Sequence, residues 1–97
     1  MLKVKMTVSG RVQGVGFRYF VITTARQLGI FGRVWNNDDG TVGILAQTPD
    51  AQKLAQFTAL VRGEKSAKGR LSPFAKVTSL ESSPASFPDF TDFNIKY

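Results

Sequence analysis

Leu2, Val4, Met6 and Val8 alternate with Lys3, Lys5, Thr7 and Ser9 along the first stretch of the chain. A period of two predicts a strand over residues 3–9 with one face buried and the other in water. The apolar spacing then changes. Phe17, Val21, Ala25 and Leu28 recur at helical intervals until Gly29, which predicts a first helix over 18–28. Residues 31–36 read as a second strand, Asn37-Asp38-Asp39-Gly40 as a hairpin loop, and 41–47 as a third strand with Val42, Ile44 and Ala46 inward. Thr48 is placed to cap a second helix, with Pro49 at its first position and Leu54, Phe57, Leu60 and Val61 as its apolar stripe up to Gly63. Residues 63–74 read as a basic loop. In a fourth strand, Ala75 to Ser82, the positions of Val77 and Leu80 fall on opposite faces, which predicts a bulge or an edge position. Two prolines make 83–92 irregular, and Phe93, Ile95 and Tyr97 alternate as a final strand.

The order βαββαβ with an added C-terminal strand predicts an α+β, ferredoxin-like sandwich, in which two helices cover one face of a mostly antiparallel sheet. A length of 97 residues suits a single domain spanning 1–97. Apolar residues at 42% and charged residues at 21% match a soluble globular chain. No apolar run approaches the roughly 20 residues that span a bilayer, and the first five residues alternate like a strand instead of opening a signal peptide, so no membrane association and a cytoplasmic location are expected. Without cysteine the chain needs no oxidising compartment.

Thirteen Lys and Arg against seven Asp and Glu give a net charge of +6, which attracts anions: nucleic acid, acidic membrane and phosphorylated metabolites all fit. The one dense basic group, Arg62, Lys65, Lys68 and Arg70 around Glu64, reads as a solvated loop in preference to a nucleic-acid patch. The absence of histidine narrows the chemistry further. With neither His nor Cys there is no His-based zinc site, no Ser-His or Cys-His pair, no phosphohistidine and no cysteinyl phosphate. The adjacent carboxylates Asp38 and Asp39 read as turn residues, so neither metal nor cofactor is expected.

Gly10-Arg11-Val12-Gln13-Gly14-Val15-Gly16-Phe17-Arg18 lies between the first strand and the first helix. Its glycines let the backbone turn N–H groups inward, and the helix start adds partial positive charge, so Gln13, Gly14, Val15, Gly16, Phe17 and Arg18 can cradle a phosphate. The Arg18 guanidinium can donate a forked pair of hydrogen bonds to two phosphate oxygens. Glycine-rich loops of this kind serve equally often as plain turns. A strand-helix-strand crossover makes the first two strands parallel, so Asn36, last in the second, should reach the sheet edge from which the loop departs. Spacing alone favours a turn-entry role for Asn36 over a binding one.

The stretch G-R-V-Q-G-V-G-F-R at 10–18 resembles the acylphosphatase signature, and the likeness runs on through A-R-Q-L-G-I-F-G at 25–32 and G-R-V-W-N-N-D-D-G at 32–40. S-P-F-A-K-V at 72–77 and F-N-I-K-Y at 93–97 resemble that family's later strands. The resemblance implies that Arg18 binds phosphate and Asn36 positions the attacking water. An acyl phosphate substrate is expected, with inorganic phosphate as product and as a competitive inhibitor in the same cradle, and a monomer is expected. Two departures stand out: Trp35 replaces a commonly basic residue, and the stretch 63–72 lacks the usual glycine-proline pair. They bear on substrate preference and loop geometry.

Residue chemistry points the same way. With no nucleophilic Cys, His or paired Asp in the loop, water must attack phosphorus in line through a loose transition state that needs charge stabilisation and positioning. Without an evident general acid the leaving group departs unprotonated, which suits a carboxylate and not an alkoxide. Three other readings compete. A nucleic-acid-binding ferredoxin-like module would carry an aromatic K/R-G-F/Y-G/A-F-V-x-F/Y strand, which this chain lacks. The glycine order is not that of a dinucleotide loop. A non-catalytic domain binding an anion or carbamoyl phosphate is the alternative, because the resemblance extends to domains fused to carbamoyl-handling maturation enzymes.

Overall fold

The structure, a computed structural model, describes residues 1–63 and 75–96. Beyond Gly63 the expected basic loop, with Lys65, Lys68 and Arg70, lies outside the described residues, as does Tyr97. The elements are β1 (Leu2–Arg11), α1 (Phe17–Leu28), β2 (Phe31–Asn36), β3 (Val42–Thr48), α2 (Ala51–Arg62), β4 (Lys76–Pro84) and β5 (Phe93–Ile95). One five-stranded sheet has the order β4-β1-β3-β2-β5. All neighbouring pairs are antiparallel except β2 with β5. This is the expected ferredoxin-like architecture with its added C-terminal strand.

Alternation in the strands selects the buried face. Met6 and Val8 of β1, Val34 of β2, Val42, Ile44 and Ala46 of β3 and Phe93 of β5 pack against Phe17, Val21, Ile22 and Ala25 of α1 and Phe57 and Val61 of α2. Burying a side chain of this size removes enough apolar surface to contribute about 1.5–3 kcal/mol. Phe57 meets Phe93 edge to face, with ring centroids 6.1 Å apart, joining α2 to the last strand. Gly29 closes α1 in the left-handed region at φ 69°, and the next N–H, that of Ile30, reaches back to the carbonyl of Ala25 at 2.9 Å. Among the described residues no helix is long and apolar enough to cross a membrane.

Two local expectations are revised, and the bulge or edge position expected of the fourth strand is met. β1 continues through Gly10 and Arg11, because these residues pair with Val77 and Lys76 of β4. The cap of α2 is Asp50, whose carboxylate accepts hydrogen bonds from the N–H groups of Gln52 and Lys53 at 2.9 and 3.2 Å, while Thr48 remains in β3 opposite Leu2. A carboxylate at a helix start also meets the positive end of the helix dipole, which favours Asp over Thr here. β4 is both an edge strand and bulged: Ser9 faces Ser79 and Gly10 faces Val77, so Thr78 is the extra residue. The extra residue brings Val77 back to the face of Leu80, and both pack against the core.

Segment 85–92, expected to be irregular, crosses the open face of the sheet at the end where β2 begins. Gln47 and Phe90 exchange two hydrogen bonds, Nε2 to the carbonyl at 2.9 Å and N–H to Oε1 at 2.8 Å. Lys3 pairs with Asp89 at 2.7 Å and Arg33 with Asp92 at 2.7 Å. The opposite end of the sheet is left for the loop that follows β1.

Candidate active site

Pairing across β3 aligns the sheet end at which β1 and β2 both finish. Val42 faces Val8 on one side and Asn36 on the other. Cross-strand partners share a face, so Asn36 projects to the helix side, in the row of Val8 and Val42. Two strand spacings, about 10 Å, separate the backbones of Val8 and Asn36. Asn36 is exposed, while Val8 and Val42 are buried beside it.

Between β1 and α1 the chain alternates in handedness. Gly14 and Gly16 have φ of 72° and 78°, and Val15 between them does not share that sign. A Cβ at either glycine would meet nothing within 4 Å, so backbone conformation, and not crowding, calls for glycine at both. Alternating φ signs turn successive N–H groups to one side and form an anion-sized concavity. Val12 and Phe17, each 1% exposed, anchor the two ends of the loop in the core. Phe17 therefore has only its backbone to offer a ligand.

Gly16 is the N-cap of α1, and among the described residues no side chain caps that end. The first-turn amides, Arg18 among them, are thus available to an anion at the positive end of a 12-residue helix. The Arg18 side chain is half-buried and makes no hydrogen bond or ion pair with another described residue. The same holds for the side-chain amide of Asn36. Gln13 and Asn37, by contrast, are engaged through their side chains.

Gln13 spans from the loop to the β2-β3 hairpin. Its Nε2 donates to the carbonyl of Asn37 at 2.8 Å and to the carbonyl of Thr41 at 2.9 Å. The loop expected to hold phosphate is thereby tied to the residue that directly follows Asn36. Sequence reasoning assigned Gln13 a backbone role only, and nothing in the pattern signalled the reach of its side chain.

Beneath the hairpin, on the open face, Trp35 lies over Gly43, its partner across the strands. The indole Nε1 donates to Asn37 Oδ1 at 2.8 Å, Asn37 Nδ2 donates to Thr41 Oγ1 at 2.9 Å, and Thr41 donates from Oγ1 and from its N–H to Asp39 Oδ1 at 2.6 and 3.0 Å. These two bonds from Thr41, the side-chain one foremost, hold the Asp39 carboxyl below its ordinary pKa. Asp39 thus completes the turn, as its place in the hairpin suggested. Trp35 points away from the loop, so its influence on the site passes through Asn37. Among the described residues no three His, Cys, Asp or Glu side chains cluster as a metal site would require.

Comparison with known proteins matches the whole chain. The acylphosphatase family model matches residues 4–95. An acylphosphatase from Lactococcus lactis is 81% identical over 97 residues, covering all of both chains. The crystal structure of acylphosphatase from Bacillus subtilis superposes with a TM-score of 0.87 at 41% identity, again covering all of both chains. An acylphosphatase structure from Coxiella burnetii gives a TM-score of 0.83 at 27% identity and covers 98% of this chain and 92% of the other.

Proposed function

The chain belongs to the acylphosphatase family and is an enzyme of that class, acting on small-molecule acyl phosphates, and we propose that it does so by direct attack of a water held by Asn36 on a phosphoryl group held by Arg18 and the 13–18 loop. The phosphoryl oxygens carry the charge of the substrate. Arg18 and the backbone N–H groups of Gln13, Gly14, Val15, Gly16, Phe17 and Arg18 meet that charge in ground and transition states. Asn36, at the strand end two positions away in the sheet, accepts a hydrogen bond from water through its side-chain oxygen and directs the water's lone pair at phosphorus, opposite the acyl oxygen.

As the water oxygen bonds to phosphorus, the bond from phosphorus to the acyl oxygen breaks and its electron pair leaves on the carboxylate. The water's proton passes to a phosphoryl oxygen of the substrate. A carboxylate, with a conjugate-acid pKa of about 4, needs no protein acid to depart. An alkoxide would, and the chain has no histidine to supply one. We also infer a monomer working in the cytoplasm; the location rests on the lack of any apolar run long enough to span a bilayer.

One observation supports the pairing of the two residues above all: the 2.8 Å bond from Gln13 to the carbonyl of Asn37 sets the phosphate loop beside the strand end that carries Asn36. The test separates the two roles. Arg18→Gln should weaken inorganic phosphate binding and abolish most turnover, because its contacts exist in both states. Asn36→Ala should lower kcat by about 100-fold while leaving phosphate affinity nearly unchanged. Near wild-type turnover by a folded Asn36→Ala enzyme at saturating acyl phosphate would overturn the mechanism.

A further inference from the structure

We propose that the Gln13 side chain is a positioning residue that sets where Asn36 stands relative to the bound phosphate, a role that rests on the reading of Asn36 given above. One amide nitrogen has two hydrogens, and both are used: one bond goes to the carbonyl of Asn37 and the other to the carbonyl of Thr41. These two carbonyls lie at the two sides of the hairpin turn, where the N–H of Asn37 also donates to the carbonyl of Thr41 at 2.9 Å. Gln13 therefore grips both ends of the hairpin turn at once, from the loop proposed to hold the phosphate.

The grip has a counterpart on the opposite face. Trp35 holds the side chain of Asn37 through its indole N–H, and Asn37 in turn holds Thr41. Asn36 lies between these restraints in the chain: Trp35 precedes it and Asn37 follows it. Its own side chain has no partner among the described residues. The direction of that side chain is consequently set by its backbone, and the backbone is set by Gln13 above and Trp35 below. A reacting group moved by about 1 Å can lose up to about 100-fold in rate, so loosening either restraint should reach the chemistry without touching the phosphate.

Gln13→Met removes the donor at similar side-chain volume and leaves the loop's backbone amides in place. Turnover of benzoyl phosphate should fall about 10-fold in kcat, a partial loss of the positioning effect, while the Kd for inorganic phosphate changes by less than about 2-fold. Asn36→Ala supplies the decisive background. If Gln13 acts through Asn36, the double variant Gln13→Met/Asn36→Ala should turn over no more slowly than Asn36→Ala alone. A structural lesion would lower the melting temperature but would not make the two losses merge. Trp35→Phe, which keeps a ring over Gly43 and deletes the N–H, gives a second route from the far face. It should lower kcat about 3-fold with phosphate affinity unchanged, a milder form of the same misplacement.

The proposal is overturned if Gln13→Met keeps full kcat, if its loss multiplies with that of Asn36→Ala, or if phosphate affinity falls in step with kcat. In each case Asn36→Ala, itself slow, leaves the proposed mechanism standing. If instead Asn36→Ala turns over at the wild-type rate, the mechanism fails and the positioning role fails with it.

Discussion

Replacing Gly43 by alanine should loosen the enzyme from a place that touches no substrate. An added Cβ would lie 2.5 Å from Cζ2 and 2.7 Å from Nε1 of Trp35, whereas carbon atoms in contact rest about 3.5–4.0 Å apart. The indole must therefore withdraw by about 1 Å. Nε1 is the atom that donates to Asn37 at 2.8 Å, and a displacement of that size takes the pair beyond hydrogen-bond range. Overpacking costs about 1–3 kcal/mol and a lost hydrogen bond about 1 kcal/mol. The indole sits on the open face and can swing partly into water, which holds the total near 2 kcal/mol. At about 4–8 °C per kcal/mol for a chain of this size, the melting temperature should fall by about 8–16 °C. Thermal unfolding by circular dichroism measures the shift. The control is Trp35→Ala, in which the added methyl group has no ring to meet. Gly43 lies outside the left-handed region, so alanine costs nothing in backbone strain there, and in that background Gly43→Ala should be neutral or stabilising. A melting temperature for Gly43→Ala within about 2 °C of wild type, against the shift worked above, would refute the reasoning.

Inorganic phosphate should inhibit competitively and raise the melting temperature as RT ln(1 + [L]/Kd), an effect weakened by salt, absent with chloride at matched ionic strength, and lost in Arg18→Gln. Exhaustive chelation should leave turnover unchanged, since Asp39 is committed to Thr41 and the chain offers neither His nor Cys; loss of activity in EDTA, restored by a divalent metal, would contradict this. At saturating substrate the rate should vary little between about pH 5.5 and 7, where no side chain in the proposed site titrates at its ordinary pKa. Acid should act on the frame instead. Asp39, Asp89 and Asp92 are held below 3.8 by hydrogen bonds from Thr41, Lys3 and Arg33 respectively. A depressed pKa stabilises the fold above the unfolded value and ceases to do so as pH falls through the folded value. Melting temperature should therefore hold down to about pH 4 and decline below, and Asp92→Asn should flatten part of that decline.

Much of the architecture can be read from the chain because local pattern and tertiary packing agree. The alternation of Met6 and Val8, of Val42, Ile44 and Ala46, and the helical spacing of Phe17, Val21 and Ala25 all mark residues that are buried in the core. Where sequence reasoning fell short, the deciding partner was remote. Arg11 belongs to β1 only because Lys76 pairs with it, and Gln47, a polar residue 2% exposed, is satisfied by Phe90. Thr48 and Asp50 compete for one helix cap, and both the stronger capping by a carboxylate and the pairing of Thr48 with Leu2 decide for Asp50. Arg18 and Asn36 could be suspected from the chain's topology, since parallel strands end at one edge. The clasp formed by Gln13 could not, because a glutamine in a glycine loop carries no periodic or compositional mark.

The pairing of β2 with β5 bears on how the protein is made. Arg18 and Asn36 are both synthesised within the first 36 residues. The strand that ends in Asn36 nevertheless has Gly32 to Val34 flanked by residues 93–95, and the N–H of Lys96 closes on the carbonyl of Val34 at 2.9 Å. β1 likewise waits for β4, with Val4 opposite Pro84. A nascent chain that has emerged through both proposed site residues is therefore still without the two outer strands of its sheet. Contacts this distant in sequence make folding slow relative to helical proteins of equal size. The flank of β2 is thus completed only by residues 93–96, and removing Phe93 to Lys96 should lower activity although it touches neither Arg18 nor Asn36.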